Sequence, residues 1–423
     1  AADHVMAATK HAPKQEVSAT LNLSLQEAQD YAVAQNRSLK NASLAVQKAY
    51  ATRWQTIASM LPSVDMSWAY QSMMGYKMNF GGMPIEMPDN GTLGITASVG
   101  INGQAIVGAL LNNTAIEMQK LNLEISEDNL RASVKSSYAS VLVLEDVVKL
   151  LDSSLKNIEN LAAMTQRSVE VGAAEQTTAD QILVRVNTLK NNINANKRST
   201  QLAINALKVL LNVPAETELT LTTQLSDMLS AEAIVALLGK DFVLENNLSY
   251  QTLAKNVELA KKNVHMAGWA YGPTIGVGYQ YSEKDYFGKK EGFNMTPPNA
   301  LSVQVSMPLW SSGKRAAGVV EKKIALEEAR NTFEETADNL GIQNEQLRYN
   351  LQTAYETYTN EQENMGVTQR VFDNTSLKFQ QGVASNLDLV NASNDLITAQ
   401  STYVQAVLTL VNAEVELEKF LNL

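Results

Sequence analysis

The sequence predicts a mostly α-helical protein with a small β part, built from two internal repeats. This prediction rests on long stretches of helical periodicity, four short stretches of strict alternation, and a recurring segment. The recurring segment is VEVGAAEQTTADQI around Gly172, which matches FQQGVASNLDLV around Gly382. Pro62 and Pro273 match at nearly the same offset. In a chain of 423 residues, this spacing predicts two copies of one unit of about 210 residues.

The composition of the chain excludes several classes of protein. Hydrophobic residues make up 45% of the chain, which excludes wholesale disorder. Aromatic residues make up only 6%, which favours long helices over a thick globular core. The net charge of -10 argues against a nucleic-acid partner, because phosphate binding needs basic patches. The chain has no cysteine, so disulfides and thiolate metal sites are excluded.

The first repeat is predicted at residues 21–213, after a mobile N-terminal segment at residues 1–20. Its first helix runs from Leu25 to Met60 and is ended by Pro62. Strands are predicted at 63–72 and 93–102, where apolar residues alternate with small or polar ones, and a Gly/Met/Pro-rich loop joins them. A helical hairpin of roughly 100 Å follows and turns at Gly172.

The second repeat is predicted at residues 249–423. Residues 214–248 have no counterpart in the other repeat, and we predict that they form an equatorial insertion. Strands are predicted at 274–282 and 301–309, followed by a helical hairpin that turns at Gly382. The outgoing helix carries small residues seven apart, at Ala392, Ala399, Ala406 and Ala413. Sustained seven-residue periodicity predicts helices that wrap around one another as a coiled coil.

The four predicted strands have the length and alternation of strands that span a bilayer, with one face on lipid and one on water. Aromatic residues at or near the strands fit the girdle at a membrane interface; the candidates are Trp68, Tyr70, Tyr279, Tyr281 and Trp310. Four strands cannot close a barrel, so several copies would have to share one. The alternative is a soluble four-stranded sheet covered by helices.

Three segments resemble the signature segments of the outer-membrane efflux family, the TolC-like channel-tunnels. They are Leu61-Pro62-Ser63-Val64, Met307-Pro308-Leu309-Trp310-Ser311-Ser312-Gly313, and the run from Phe379 to Leu389. The resemblance implies a homotrimer whose four transmembrane β-strands per chain form a 12-stranded β-barrel above a long α-helical coiled-coil barrel. It places the chain in the outer membrane of a Gram-negative bacterium, in contact with lipid, with most of its residues in the periplasm.

The same resemblance implies a passive channel for multidrug export, joined to an inner-membrane pump through a periplasmic adaptor protein. Type I protein secretion is the alternative function, and a soluble periplasmic coiled-coil scaffold is the alternative from another class. Adaptor contacts are expected at the two turns: Val171, Gly172, Ala173, Gln381, Gly382 and Val383. A periplasmic gate is expected nearby, at Asp388, Asn391, Phe379 and Thr178.

Catalytic chemistry is not predicted, and neither a cofactor nor a resident metal is expected. No Ser/His/Asp arrangement can be built around His265, and the carboxylates on the long helices fit solvated faces. Methionines cluster between Met66 and Met87, and thioethers suit soft Cu(I) or Ag(I). The other reading of that cluster is apolar fill in a surface loop.

Overall fold

The structure is a computed structural model that describes residues 20–288 and 297–423. The predicted mobile segment at residues 1–20 lies outside the described residues apart from Thr20. The helices are α1 (Leu25–Gln35), α2 (Arg37–Ala58), α3 (Gly103–Glu170), α4 (Gln176–Leu211), α5 (Leu225–Met228), α6 (Ala231–Leu238), α7 (Leu248–Gly268), α8 (Lys314–Gln380) and α9 (Asn386–Leu421). The strands are β1 (Thr20–Leu23), β2 (Ser63–Gln71), β3 (Lys77–Phe80), β4 (Met83–Glu86), β5 (Asn90–Asn102), β6 (Glu218–Leu221), β7 (Thr274–Tyr286) and β8 (Asn299–Ser306).

The predicted first helix is interrupted at Asn36, which separates α1 from α2. Asn36 adopts an extended backbone conformation with ψ near 127°. Its side-chain amide donates to the Leu210 carbonyl at 2.9 Å, and its side-chain oxygen accepts from the Leu39 amide at 3.2 Å. The break therefore follows from the ability of asparagine to satisfy backbone groups that a helix end leaves unpaired.

Strands β5 and β7 extend beyond their predicted bounds, because their outer residues find partners in the neighbouring strand. Gln71 pairs with Asn90, and Asn90 pairs with Tyr286. The segment predicted as a loop between the first two strands contains the β3–β4 hairpin, in which Phe80 is paired with Met83. Cross-strand pairing outweighs the glycine and proline content of this segment.

One compact unit comprises residues 44–120 and 252–334. Its main sheet has the order β2-β5-β7-β8, and all neighbouring strands are antiparallel. The register aligns Val64, Ala97, Tyr279 and Leu301 across the four strands. Because side chains alternate between faces of a sheet, this row belongs to one face, and polar residues such as Ser63 belong to the other.

The other compact unit comprises residues 1–43, 121–251 and 335–423, of which those from Thr20 onward are described. Its largest apolar cluster joins α1, the middle of α3, the ends of α4 and α9, part of α8 and the insertion around α6. The short parallel pair of β1 and β6 borders this cluster. Tyr138 is fully buried there, and its hydroxyl donates to the Leu23 carbonyl at 2.9 Å. The Thr223 amide donates to the same hydroxyl at 3.0 Å, which anchors the 214–248 segment to α3.

Within residues 20–288 and 297–423, no helix combines the length and the hydropathy that crossing a membrane requires.

Candidate functional site

The two turns between paired long helices have the same backbone geometry. Gly172 and Gly382 adopt left-handed conformations, with φ of 77° and 71°. In the first turn the Ala173 amide donates to the Ser168 carbonyl at 2.7 Å, and in the second the Val383 amide donates to the Lys378 carbonyl at 2.9 Å. Glycine suits both positions because a left-handed residue ends a helix with little steric cost.

The residues expected to contact an adaptor lie at the surface in both turns. Val171 is 80% exposed and Val383 is 74% exposed. Ala173 and Gln381 are also exposed. A Cβ atom built on either turn glycine would have no neighbour within 4 Å. The turns therefore present apolar side chains that the other described residues do not enclose.

Asp388 lies in the first turn of α9 and forms a reciprocal cap with Ser385. The Ser385 amide and hydroxyl both donate to Asp388 Oδ2, at 2.8 and 2.6 Å. The hydrogen bond from the Ser385 hydroxyl, followed by that from its backbone amide, lowers the pKa of the Asp388 carboxyl. Asp388 is exposed, so its charged carboxylate lies at the surface beside the second turn.

The other expected gate residues lie near Asp388 but have different surroundings. Asn391 is exposed and lies three residues further along α9, on the same side of the helix. Phe379 is half-buried and packs against a cluster that includes Phe372 and Leu389. Thr178 is half-buried in the first turn of α4. Of the four expected gate residues, Asp388 and Asn391 are the exposed ones.

The two turns belong to one packed end of the helical hairpins. All four long helices contribute to a single apolar cluster there, which includes Ile158, Ile182, Phe372 and Leu389. Across this end, the Asn386 side chain donates to Gln181 Oε1 and so links α9 to α4. Interactions from both halves of the sequence therefore position the gate candidates.

The predicted interface aromatics lie on or beside the four-stranded sheet. Trp68 is 67% exposed, and Tyr70 and Tyr279 are also exposed. Tyr281 is half-buried, and its hydroxyl donates to Glu283 at 3.0 Å. Trp310 follows β8 and is 86% exposed. Four of these five side chains are therefore largely uncovered by the residues that the structure describes.

In the part of the chain that the structure describes, the sheet leaves an apolar face and both of its edges uncovered. Every residue of β2 and of β8, the two edge strands, is exposed, and neither strand has a second strand partner within the described residues. Met66 is 76% exposed and Leu301 is 73% exposed, although water disfavours such exposure. Open edges in this setting are unfavourable for an isolated chain.

Sequence reasoning missed Ser385, Asn386 and Gln181. The sequence signal for Ser385 was present, since a serine followed three residues later by an acidic residue is the pattern of a capping box. The link from Asn386 to Gln181 has no comparable signal, because it joins residues 205 positions apart. The methionines expected as metal ligands or surface fill include Met74 and Met83, which are 94% and 72% exposed.

Long helical hairpins with a small sheet that exposes an apolar face define the class of the outer-membrane channel-tunnels. The sequence profile described as "Outer membrane efflux protein" matches residues 29–213 and 241–423. The chain therefore belongs to the outer membrane efflux protein family, and it is a protein of the outer membrane.

Three similar proteins agree with this assignment. The outer membrane efflux protein BepC of Brucella suis is 23% identical over 301 residues, which cover 69% of this chain and 63% of BepC. The probable efflux pump outer membrane protein TtgC of Pseudomonas putida is 23% identical over 367 residues, covering 80% of this chain and 72% of TtgC. The solved structure of CusC matches with a TM-score of 0.74 and 16% identity, covering 98% of this chain and 95% of CusC.

Proposed function

We propose that the chain is a passive export channel, the outer component of a tripartite efflux pump. The observation that carries this proposal is the four-stranded sheet, whose apolar face and two edge strands are all exposed. A bilayer accepts an apolar sheet face only where the backbone groups at the edges are paired. Pairing β2 of one copy with β8 of the next satisfies both conditions. Three copies of a four-stranded sheet then form a closed barrel of twelve strands.

Efflux is favoured over protein secretion because the relatives BepC and TtgC carry efflux in their names. On this proposal the long helices of the three copies form a tube in the periplasm. An inner-membrane pump supplies the cargo through a periplasmic adaptor. The adaptor contacts the two turns. Val171 and Val383 are exposed apolar side chains there, and each is next to a glycine in the left-handed conformation.

The gate on this proposal is a ring of Asp388 carboxylates, one from each copy, with Asn391 as the next layer. Both hydrogen bonds to Asp388 end on Oδ2, and Oδ1 has no hydrogen bond within the described residues. Oδ1 is therefore free to attract a cation at the axis. Phe379 and Thr178 support the ring from the apolar cluster and from α4. The interface aromatics Trp68, Tyr70, Tyr279, Tyr281 and Trp310 border the lipid.

The proposal is tested by extracting the protein from membranes and measuring the mass of its oligomer. The chain is expressed with a secretion signal, the membranes are fractionated, and the mass of the oligomer is measured in detergent. We expect a trimer that appears in the outer-membrane fraction and needs detergent to remain in solution. A monomer or dimer recovered in the periplasm without detergent would overturn the proposal and favour a coiled-coil scaffold.

A conductance measurement tests the gate separately. Asp388→Asn removes the charge but keeps a side-chain oxygen that can accept the bonds from Ser385. In planar bilayers we expect a lower preference for cations. Asp180→Asn is the matched control, because Asp180 is an exposed acidic residue in the first turns of the other return helix, α4. An equal change in both variants would show that Asp388 does not line the path.

A further inference from the structure

A cavity of about 580 Å³ lies between the insertion and the long helices, within the unit that contains residues 121–251. Its wall includes Glu145, Asp146 and Lys149 of α3, Tyr358 of α8, and Tyr403 of α9. The segment that joins β6 to α5 closes another side. We refer to this space as the tyrosine cavity. No part of the export path proposed above uses it.

The tyrosine cavity carries two carboxylates and one lysine, so the described residues leave it with a net negative charge. Lys149 Nζ lies 3.1 Å from Asp146 Oδ1, so those two charges offset each other. Glu145 is half-buried and forms neither an ion pair nor a hydrogen bond with the described residues. Burial raises the pKa of Glu145, and Asp146 adds to the rise while Lys149 opposes it. A cation in the cavity would compensate this carboxylate.

The remaining wall supplies neutral oxygen atoms and aromatic edges. Tyr358 and Tyr403 are only 8% and 7% exposed, and their ring centroids lie 6.2 Å apart. Both side chains line the cavity, and Gln362 lies on the same wall. A hydroxyl both accepts and donates, and an amide provides an acceptor oxygen. Tyr358 forms side-chain hydrogen bonds with Tyr403 and Gln362. The remaining lone pairs of these oxygens can accept from a ligand in the cavity that Glu145 also lines.

The side chains that line the tyrosine cavity indicate which kind of cation it can bind. Ca²⁺ takes six to eight oxygen ligands, usually with several carboxylates. Among residues 20–288 and 297–423, no group of three or more His, Cys, Asp or Glu side chains could hold a metal ion. An ammonium group needs only about three acceptors for its three N–H donors. The volume of about 580 Å³ also leaves room for a carbon chain beside the charged end.

We propose that the tyrosine cavity binds a small organic cation through its primary ammonium group, with the Glu145 carboxylate as the charged partner. Tyr358, Tyr403 and Gln362 provide neutral acceptors, and Asp146 remains paired with Lys149. The site is separate from the Asp388 ring. The proposal does not rest on the export function, so binding can be measured whether or not the channel conducts.

The test uses the purified full-length protein in detergent and two probes, butylammonium and butyltrimethylammonium. The probes share a chain and a charge, but only the first has N–H donors. We expect butylammonium to bind, in a ligand-observed NMR titration, at least about fivefold more tightly than butyltrimethylammonium, because hydrogen bonds to charged groups are the stronger ones. Failure of butylammonium to bind, or equal binding of the two probes, would overturn the assignment.

Two variants locate the site. Glu145→Gln should weaken butylammonium binding at least about tenfold, since it removes the charged acceptor but keeps the shape of the side chain. Glu124→Gln makes the same change at an exposed position of α3 outside the cavity, and we expect no effect. Tyr403→Phe should produce a smaller loss. Equal loss in the Glu145 and Glu124 variants, with unchanged circular dichroism, would rule out the cavity as the site.

Discussion

Ser385 and Asp388 cap each other at the start of α9. The Ser385 hydroxyl donates to Asp388 Oδ2 at 2.6 Å, and the Asp388 amide donates to Ser385 Oγ at 3.2 Å. The turn at Gly172 lacks this arrangement, because Glu175 occupies the N-cap position of α4 and makes no side-chain capping bond. The two otherwise similar turns therefore differ in how firmly their return helices begin.

Removing the cap should loosen the second turn selectively. Ser385→Ala deletes the oxygen that accepts from the Asp388 amide, and we expect hydrogen exchange in the first turn of α9 to rise about fivefold. Glu175→Ala is the matched control, since no side-chain cap is lost there. Hydrogen exchange in the first turns of α4 and α9 is measured by mass spectrometry on the detergent-solubilised protein. Equal acceleration in both turns would contradict the role given to Ser385.

The buried ion pairs of Lys135 should contribute strongly to stability. Lys135 Nζ lies 3.0 Å from Glu414 and 3.0 Å from Glu418, and Lys135 and Glu414 are almost fully buried. Burial alone would lower the pKa of Lys135, but the two carboxylates more than offset it and the pKa is raised. Lys135→Met leaves Glu414 charged and unpaired, so the free energy of unfolding should fall by about 3–5 kcal/mol.

Denaturant titration followed by circular dichroism measures this loss. Lys190→Met is the control, because Lys190 pairs with Glu159 at 2.7 Å on the exposed surface. We expect the control to cost less than about 1 kcal/mol. The double variant Lys135→Met with Glu414→Leu should recover much of the loss, since it removes the orphaned charge. No recovery would indicate that Lys135 acts mainly through packing.

Glu258 should make stability depend on acid pH. Lys262 lies 2.7 Å and Lys255 3.1 Å from its carboxylate. The hydrogen bond from Lys262, then that from Lys255, lowers the pKa of Glu258 from 4.5 to about 2. A lowered folded-state pKa stabilises the protein above the unfolded value, and this contribution is lost as the pH falls from 4.5 towards 2.

The measurement compares thermal midpoints of the wild type and Glu258→Gln from pH 7 to pH 3. We expect the wild type to be more stable at pH 7 and the difference to shrink on acidification. The Glu258 side chain is 40% exposed, so solvent screening keeps the difference small. Glu327→Gln is a control, because Glu327 forms an exposed pair with Arg330 at 3.4 Å. A difference that stays constant with pH would contradict the assignment.

Gly103 begins α3 beneath the indole ring of Trp269. A Cβ atom at Gly103 would lie 2.1 Å from two atoms of that ring, so a side chain cannot be accommodated without moving the tryptophan. We expect Gly103→Ala to lower the free energy of unfolding by about 1–3 kcal/mol. Adding Trp269→Leu should relieve much of this loss.

Gly108→Ala provides the comparison in the same helix. The nearest atom to a Cβ there is 3.9 Å away, an ordinary contact, so alanine should be neutral or slightly stabilising. Thermal midpoints in detergent measure both substitutions. Equal midpoints for the Gly103 and Gly108 variants would show that the close approach of Trp269 is not maintained in solution.

The sequence by itself determined the mostly helical class and the order of the long helices and of the four strands of the main sheet. Periodicity is a local property of the sequence. The alternation around Val64 and the long helical segments on either side of Gly172 and Gly382 can therefore be recognised without knowing which residues they contact. The positions of the turns followed from glycine for the same reason. The family resemblance also came from contiguous segments, such as the run from Phe379 to Leu389.

Only the tertiary structure decided which distant residues meet. Asn386 meets Gln181, and Lys135 meets Glu414 and Glu418, across 205 and roughly 280 positions. The β3–β4 hairpin and the longer β7 depend on strand partners that a local pattern does not specify. The unpaired charge of Glu145 is likewise a property of its surroundings. Such features arise from packing between helices and strands, and a single sequence records that packing only indirectly.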